Sequence, residues 1–267
     1  MFSSSAFGPS RLGRALALGL PALLTIGALV LAWEAYVRFS GLSQTVLPAP
    51  TTVAAQAFAQ RAALWANAVP TLQATGAGFA LSLCCALAFS MIIDFVPMMR
   101  RVLFPVFIVF QTLPLVAIAP LIVLWFGFGL GPKIGLVALV TFFPMLVALV
   151  QGYGSTEREI EALLRSMGAG RLRVFLLARL PSALPYFFAG LRISITYAVV
   201  AAIFAEYSGA ARGLGIYILN AKNSFRPDLV LSAVMVSAVL TLCLFALVAA
   251  IERLAMPWRH IHKEPTS

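Results

Sequence analysis

The sequence predicts an all-α integral membrane protein with about six transmembrane helices. Of its 267 residues, 61% are hydrophobic and only 10% are charged, whereas soluble domains carry about 25% charged residues. One globular core cannot bury so much apolar surface, so lipid must cover the remainder. Six apolar stretches also approach the ~20 residues that cross a bilayer as a helix. We therefore treat residues 1–267 as a single transmembrane domain.

The first predicted span covers residues 15–36. Its uncharged run from Ala15 to Trp33 is longer than the hydrophobic region of a typical signal peptide, which favours a retained helix. Residues 47–66 differ in kind, because prolines stiffen their start and a short helix follows. We expect this segment to lie at the outer membrane interface. Residues 67–257 form the core of the domain. Its predicted spans are 72–93, 102–125, 134–154, 186–205 and 229–251.

Lysine and arginine residues predict the orientation of these spans. With the N-terminus inside, twelve of the 19 basic residues fall in inner segments and six in outer segments. Inner loops of membrane proteins carry the excess of basic residues. The distribution therefore predicts that both termini are cytoplasmic.

Composition and motifs exclude several function classes. The net charge of +10 does not indicate nucleic-acid binding, because the basic residues sit between apolar spans and form no basic face. The chain has no phosphate-binding loop and no metalloprotease or nucleophile-elbow motif. No metal site or cofactor is expected, since the three cysteines lack ligand spacing and His260 and His262 lie in the C-terminal tail. The sequence therefore does not predict an enzyme.

The longest inner connection, residues 155–185, has the pattern of two short amphipathic helices around a glycine turn. Thr156 and Glu159 have the spacing of a capping box, and apolar residues then recur with helical spacing up to Met167. The turn is Gly168-Ala169-Gly170. A second helix is expected to follow and to end at prolines 181 and 185. By spacing alone, this pair either rests on the membrane surface or docks a cytoplasmic partner.

Residues 161–168, followed by Leu180-Pro181, resemble the EAA loop of ATP-binding cassette (ABC) importer permeases. That signature separates a glycine from a proline by twelve residues, as Gly168 and Pro181 are separated here. Aligned on the glycine, the signature glutamate falls at Ala162, and Glu161 is one residue early. The resemblance implies a surface that couples the chain to an ATPase. Its candidate residues are Glu161, Ala162, Arg165, Met167, Gly168, Ala169, Gly170, Arg171, Leu180 and Pro181.

The resemblance extends over about residues 47–257. Residues 114–121 with 125–129 are similar to the third span of nitrate/sulfonate/taurine-type permeases, and residues 47–50 to the segment before their core. Gly190-Leu191-Arg192, Ala205-Glu206 and Gly213-Leu214-Gly215 match their fifth span and the connection after it. The chain is identified as a member of this binding-protein-dependent, type I family. The region 206–230 is slightly more similar to the thiamine-precursor and riboflavin branch.

The resemblance implies a permease core at 67–257 and a role in ATP-driven import across the bacterial inner membrane. The solute would be a small anion of the sulfonate, taurine or nitrate type, or a pyrimidine or vitamin precursor. The implied partners are an ATP-binding subunit, which alone would bind ATP, an extracytoplasmic substrate-binding protein and a second permease copy. The alternative is a stand-alone secondary transporter or channel. That class needs ion-coupling groups within the spans, and few are present besides Glu206, Glu34 and Asp94.

Five residues are candidates for the translocation pathway: Gln111, Thr112, Pro114, Arg192 and Glu206. Pro114 marks either a bend that lines the pathway or an ordinary kink. Arg192 either lines the pathway, reaches the headgroups or pairs with the coupling loop. Glu206 either faces a polar cavity or hydrogen-bonds the glycine-rich turn after it.

Overall fold

The computed structural model describes residues 11–41 and 43–257, so His260 and His262 lie outside the described residues. Within these ranges the chain is helical, and no β-strand occurs. The helices are α1 (Arg11–Phe39), α2 (Pro50–Ala59), α3 (Arg61–Phe95), α4 (Pro97–Thr112), α5 (Leu115–Phe126), α6 (Leu130–Gly154), α7 (Arg158–Ser166), α8 (Arg171–Val174), α9 (Leu180–Tyr207), α10 (Leu214–Asn223) and α11 (Pro227–Ala255).

Four helical stretches in the described part of the chain are long and apolar enough to cross a membrane. They are α3, α6, α11 and the continuous stretch Arg171–Tyr207, and each contains one of the predicted spans. The bent pair α4 and α5 makes a fifth candidate span. Helix α1 covers the predicted first span, 15–36. The predicted interfacial segment 47–66 consists of α2 and the first turns of α3.

The predicted span at 102–125 is formed by two helices and is sharply bent, as its prolines allow. Helices α4 and α5 meet there at an angle of 98°. Pro114 has no backbone N–H and disfavours helical geometry at the residue before it. Leu113 accordingly adopts an extended conformation with φ −69° and ψ 129°, and α4 ends at Thr112. The proline therefore breaks the span into two helices.

The prediction that the second amphipathic helix ends at Pro181 and Pro185 is wrong. From Arg171 the chain stays helical as far as Tyr207, through a π-helical turn at Phe175–Arg179. A proline within a helix removes one hydrogen bond and crowds the carbonyl four residues earlier. A wider π-helical turn directly before Pro181 relieves that crowding. The segment that begins at Arg171 and the fifth predicted span therefore form one continuous helix.

Helices α3, α6 and α9 pack closely through small residues. A Cβ on Gly78 of α3 would lie 2.5 Å from the Val137 Cβ of α6. On Gly190 of α9, a Cβ would lie 2.6 Å from the Ala148 Cβ of α6. Small residues let helix backbones approach in this way within membranes. These three helices form the centre of the bundle.

A second, smaller cluster joins α2, α3, α10 and α11. Leu64, Ala68, Leu214, Ile218 and Ala233 are buried there together. Among residues 20–21 and 23–39 of α1, most side chains are exposed, as expected of a helix that faces lipid or another subunit.

Candidate coupling surface and translocation cavity

Helix α7 ends in a Schellman motif, the hydrogen-bonded turn that often closes a helix. The Gly168 N–H donates to the Arg165 carbonyl at 3.0 Å, and the Ala169 N–H donates to the Leu164 carbonyl at 2.9 Å. The motif requires a left-handed residue after the helix, and Gly168 supplies it with φ +81°. The glycine turn therefore fixes the direction in which the chain leaves α7.

The predicted capping box at the start of α7 is wrong. The N-cap residue is Glu157, and no side chain caps the helix. The Thr156 hydroxyl instead donates to the Tyr153 carbonyl at 3.1 Å. This hydroxyl is buried against the end of α6 and cannot reach the first amides of α7.

Several apolar side chains on α7 and just after it are exposed. This segment lies before the membrane-spanning part of the Arg171–Tyr207 helix. Leu163 is 61% exposed, Met167 75% and Leu172 62%. Contiguous exposed apolar surface commonly marks a contact with another protein or with a membrane. Ala162, Arg165, Gly168, Gly170 and Arg171 are exposed in the same segment, and Ala169 is half-buried.

Two further candidates for ATPase coupling, Leu180 and Pro181, lie at the start of α9. Leu180 is half-buried against the main core, and Pro181 lies in the first turn of α9.

Arg179 forms the centre of an ion network that holds α7 against two other elements. Its Nε donates to Glu161 Oε1 at 2.8 Å and its Nη2 to Glu161 Oε2 at 3.0 Å. Its Nη1 donates to Asp94 Oδ1 at 2.6 Å, at the end of α3. The hydrogen bonds from Arg179 lower the pKa of Glu161 below its ordinary range. Glu161 is thus engaged within the chain and remains ionised at neutral pH.

Sequence reasoning missed the ion network that Arg179 and Asp94 form with Glu161. Arg179 lies 18 residues from Glu161 and 85 residues from Asp94 along the chain. No local spacing rule links residues that far apart, so only the fold brings these three charges together.

A cavity of about 880 Å³ lies between α3, the α4–α5 bend, α6 and α9. Gln111 lines this cavity. The other four pathway candidates, Thr112, Pro114, Arg192 and Glu206, are not among its lining residues. Pro114 acts on the cavity indirectly, because the bend that it causes brings Leu113 and Leu115 to the cavity wall.

Glu206 is completely buried at the end of α9. Its carboxylate accepts hydrogen bonds from the Thr71 hydroxyl at 2.8 Å and from the Gly215 N–H at 2.7 Å. A Cβ on Gly213 would collide with this carboxylate. The arrangement matches the second alternative for Glu206, in which it holds the glycine-rich turn.

Arg192 pairs with a carboxylate on another span and not with the coupling loop. Its Nη2 donates to Glu252 Oε1 at 2.7 Å, which ties α9 to the last turns of α11. The pair satisfies both charges inside the bundle.

Comparison with known proteins identifies the family. Residues 78–256 match the sequence model of the binding-protein-dependent transport system inner membrane component. A probable ABC transporter permease protein of Haemophilus influenzae is 32% identical, over 85% of this chain and 92% of its own.

Two further relatives are named for the solute that they transport. A formylaminopyrimidine transport permease protein of Halalkalibacterium halodurans is 32% identical, over 86% of this chain and 92% of its own. A riboflavin transport system permease protein of Chloroflexus aurantiacus is 35% identical, over 91% of this chain and 90% of its own.

These matches confirm the resemblance found in the sequence and decide against a stand-alone transporter or channel. The family consists of membrane transport components, which agrees with a chain that is not itself an enzyme. The chain belongs to the family of binding-protein-dependent transport system inner membrane components, and it is a multi-pass permease subunit of an ABC importer.

Proposed function

We propose that a separate ATP-binding subunit binds this permease at the exposed segment around Met167–Arg173. A second copy of the chain and an extracytoplasmic substrate-binding protein complete the importer. The uncovered apolar side chains Leu163, Met167 and Leu172 support this proposal most directly. They provide a compact apolar contact, and Arg171 and Arg173 give it a basic rim.

The Arg179 network explains how force would pass from this surface to the spans. Through Glu161 and Asp94, Arg179 joins α7 to the end of α3 and to the long helix that continues as α9. Movement of α7 would therefore displace these spans as a rigid body. We infer alternating access. ATP binding brings the two ATP-binding subunits together, and the resulting movement of the spans opens the pathway toward the substrate-binding protein. The chain itself binds no ATP or other cofactor in this scheme.

A second permease copy is supported by the open side of the bundle. Tyr197 and Ile193 of α9 face the cavity and remain about half exposed. A second copy placed against this side would convert the cavity into a path between two subunits.

The solute is a small organic molecule or anion. Two relatives are named for the transport of formylaminopyrimidine and of riboflavin, which supports the pyrimidine and vitamin-precursor class. The sulfonate, taurine and nitrate class implied by the wider resemblance is the second candidate.

Affinity purification from native membranes in mild detergent tests the docking surface. We expect the tagged chain to retain a subunit that mass spectrometry identifies by its phosphate-binding loop, G-x-x-x-x-G-K-[ST]. Met167→Asp places a charge on the apolar contact and should reduce recovery about tenfold or more, since hot-spot residues contribute about 2 kcal/mol or more.

Leu254→Asp is the matched control. Leu254 is also strongly exposed but belongs to the last turn of α11 and not to the proposed docking segment, so recovery should be unchanged. Equal loss in both variants, or no ATPase with the unmodified chain, would contradict the proposal.

A further inference from the structure

In the described part of the chain, the wall of the cavity between α3, α4, α5, α6 and α9 contains no charged side chain. Its lining is aliphatic and aromatic, with polar atoms contributed by Ser82, Gln111, Gln151 and Tyr197. A volume of about 880 Å³ falls within the range of cavities that hold one small molecule. The cavity is therefore large enough for a solute, and its chemistry restricts which solute.

Aromatic rings form one wall of the cavity. The ring centroids of Phe107 and Phe142 are 5.0 Å apart, and each lies 5.7 Å from that of Phe89. Phe110, Phe143 and Tyr197 add further rings to the lining. Aromatic faces and edges bind another planar ring through stacked or edge-to-face contacts. This wall favours a flat, unsaturated solute.

Two amide side chains provide the polar contacts. Gln111 lies in the last turn of α4 and Gln151 lies in the last turn of α6, and both line the cavity. Among the described residues, neither amide makes a hydrogen bond within the protein. Each amide offers both a donor and an acceptor. This pair matches the alternating ring nitrogens, carbonyls and amino groups at the edge of a heteroaromatic molecule.

Among the described residues, no charged side chain of the spans lines this cavity. Arg192 is paired with Glu252, and Glu206 is buried in its network with Thr71 and Gly215. Lys133, at the start of α6, is not among the lining residues. A carboxylate or sulfonate in this cavity would lose water without gaining a cation, which is strongly unfavourable.

We propose that this cavity is a solute-binding site of the permease and that it takes an uncharged, planar heteroaromatic molecule. The inference rests on the import function proposed above and assigns the solute class at one named site. Stacking on the phenylalanine rings contributes affinity, and Gln111 and Gln151 form hydrogen bonds with the polar edge of the solute. The same wall discriminates against small anions.

A pair of probes that differ only in charge tests the proposal. Nicotinamide is neutral at pH 7, whereas nicotinate has the same ring and carries a carboxylate. The full-length chain is prepared in lipid nanodiscs with Cys84→Ala and Cys243→Ala, so that Cys85 in the cavity wall is its only cysteine. Modification of Cys85 by N-ethylmaleimide is followed by intact-protein mass spectrometry.

We expect nicotinamide at tens of millimolar to slow the modification of Cys85, by about threefold when its concentration is twice its Kd. Nicotinate should leave the rate unchanged. Equal or stronger protection by nicotinate would overturn the proposal. Protection by neither probe, or a Cys85 that does not react at all, would also overturn it, because lipid or a second copy of the chain would then occupy the cavity.

Variants of the amide residues sharpen the test. Gln151→Leu should abolish protection by nicotinamide, whereas Gln73→Leu, an exposed glutamine on α3 outside the cavity, should preserve it. Gln151→Lys supplies the missing cation and should confer protection by nicotinate. That gain cannot arise from misfolding. Since these measurements need no ATPase, they can fail while the purification experiment succeeds, and the reverse also holds.

Discussion

At the residue scale, the hydroxyl of Thr71 connects three parts of the bundle. It donates to Glu206 at the end of α9 and accepts the N–H of Leu214 at the start of α10, at 2.9 Å. Thr75, one turn further along α3, is equally buried, but its hydroxyl has no partner among the described residues. The two threonines therefore contribute very differently to stability.

We predict that Thr71→Val destabilises the protein and that Thr75→Val does not. The first change leaves a buried N–H without an acceptor and should lower the free energy of unfolding by about 1–3 kcal/mol. The second removes a buried hydroxyl that is already unsatisfied and should be neutral or stabilising. Thermal unfolding of the purified variants in one detergent measures the difference. Equal melting temperatures would contradict the assignment of Thr71 as a structural link.

The contact of Glu161 with Arg179 should make the docking of α7 depend on pH. Arg179 lowers the pKa of Glu161 in the folded protein. The contribution of this group is therefore complete above the unfolded value of about 4.3 and is lost as the pH falls through the lower folded value. Hydrogen exchange of the α7 amides, corrected for intrinsic rates, should show faster opening in that acidic range.

Glu161→Gln tests whether the contact with Arg179 causes this pH dependence. The variant should open α7 faster at neutral pH and remove the acid dependence. Glu159→Gln is the control, since Glu159 is exposed and makes no ion pair among the described residues. If Glu159→Gln behaves like Glu161→Gln, general charge on α7 and not the Arg179 contact controls its docking.

At the element scale, the bend between α4 and α5 decides the shape of the cavity. Pro114 and Pro120 both fall in the sequence predicted to be one span, yet the chain bends only at Pro114. Pro120 lies inside α5, which continues helical to Phe126. The helix therefore tolerates one proline and breaks at the other.

We predict that Pro114→Ala reduces the bend and that Pro120→Ala leaves it unchanged. Restoring the N–H at 114 permits a hydrogen bond back into α4, and the restriction on Leu113 disappears. Spin labels at Val102 and Leu124, both exposed, should move further apart in Pro114→Ala when measured by electron–electron double resonance. An unchanged distance would mean that packing against α6 and α9, and not the proline, imposes the bend.

At the scale of the whole molecule, close packing of α3, α6 and α9 positions both the cavity and the coupling segment. Gly78 approaches the Ile134 carbonyl and Val137 of α6, whereas Gly76, two residues earlier on α3, has open space at its Cβ position. Overpacking a close helix contact costs about 1–3 kcal/mol.

We predict that Gly78→Ala destabilises the bundle, whereas Gly76→Ala is neutral or stabilising because alanine favours the helix by about 1 kcal/mol. Thermal unfolding and recovery of folded protein after detergent extraction provide the measurements. Tolerance of Gly78→Ala would show that α3 and α6 can separate without loss of the fold.

The membrane class, the positions of most spans, the glycine turn after α7 and the family could all be predicted from the amino-acid sequence. Each of these depends on a local or periodic signal. Apolar runs follow from the thickness of the bilayer, and the positive φ of Gly168 follows from the turn that its residue type favours.

The contacts of Glu206, Arg192 and Arg179 could be assigned only from the packed fold. Each charge could face a pathway, lipid or a partner as far as the sequence shows, and its partner is far away along the chain. The same is true of the π-helical turn that carries the helix past Pro181. Burial and pairing of charge arise when distant segments pack together, and a pattern within one segment does not encode which distant residue arrives beside it.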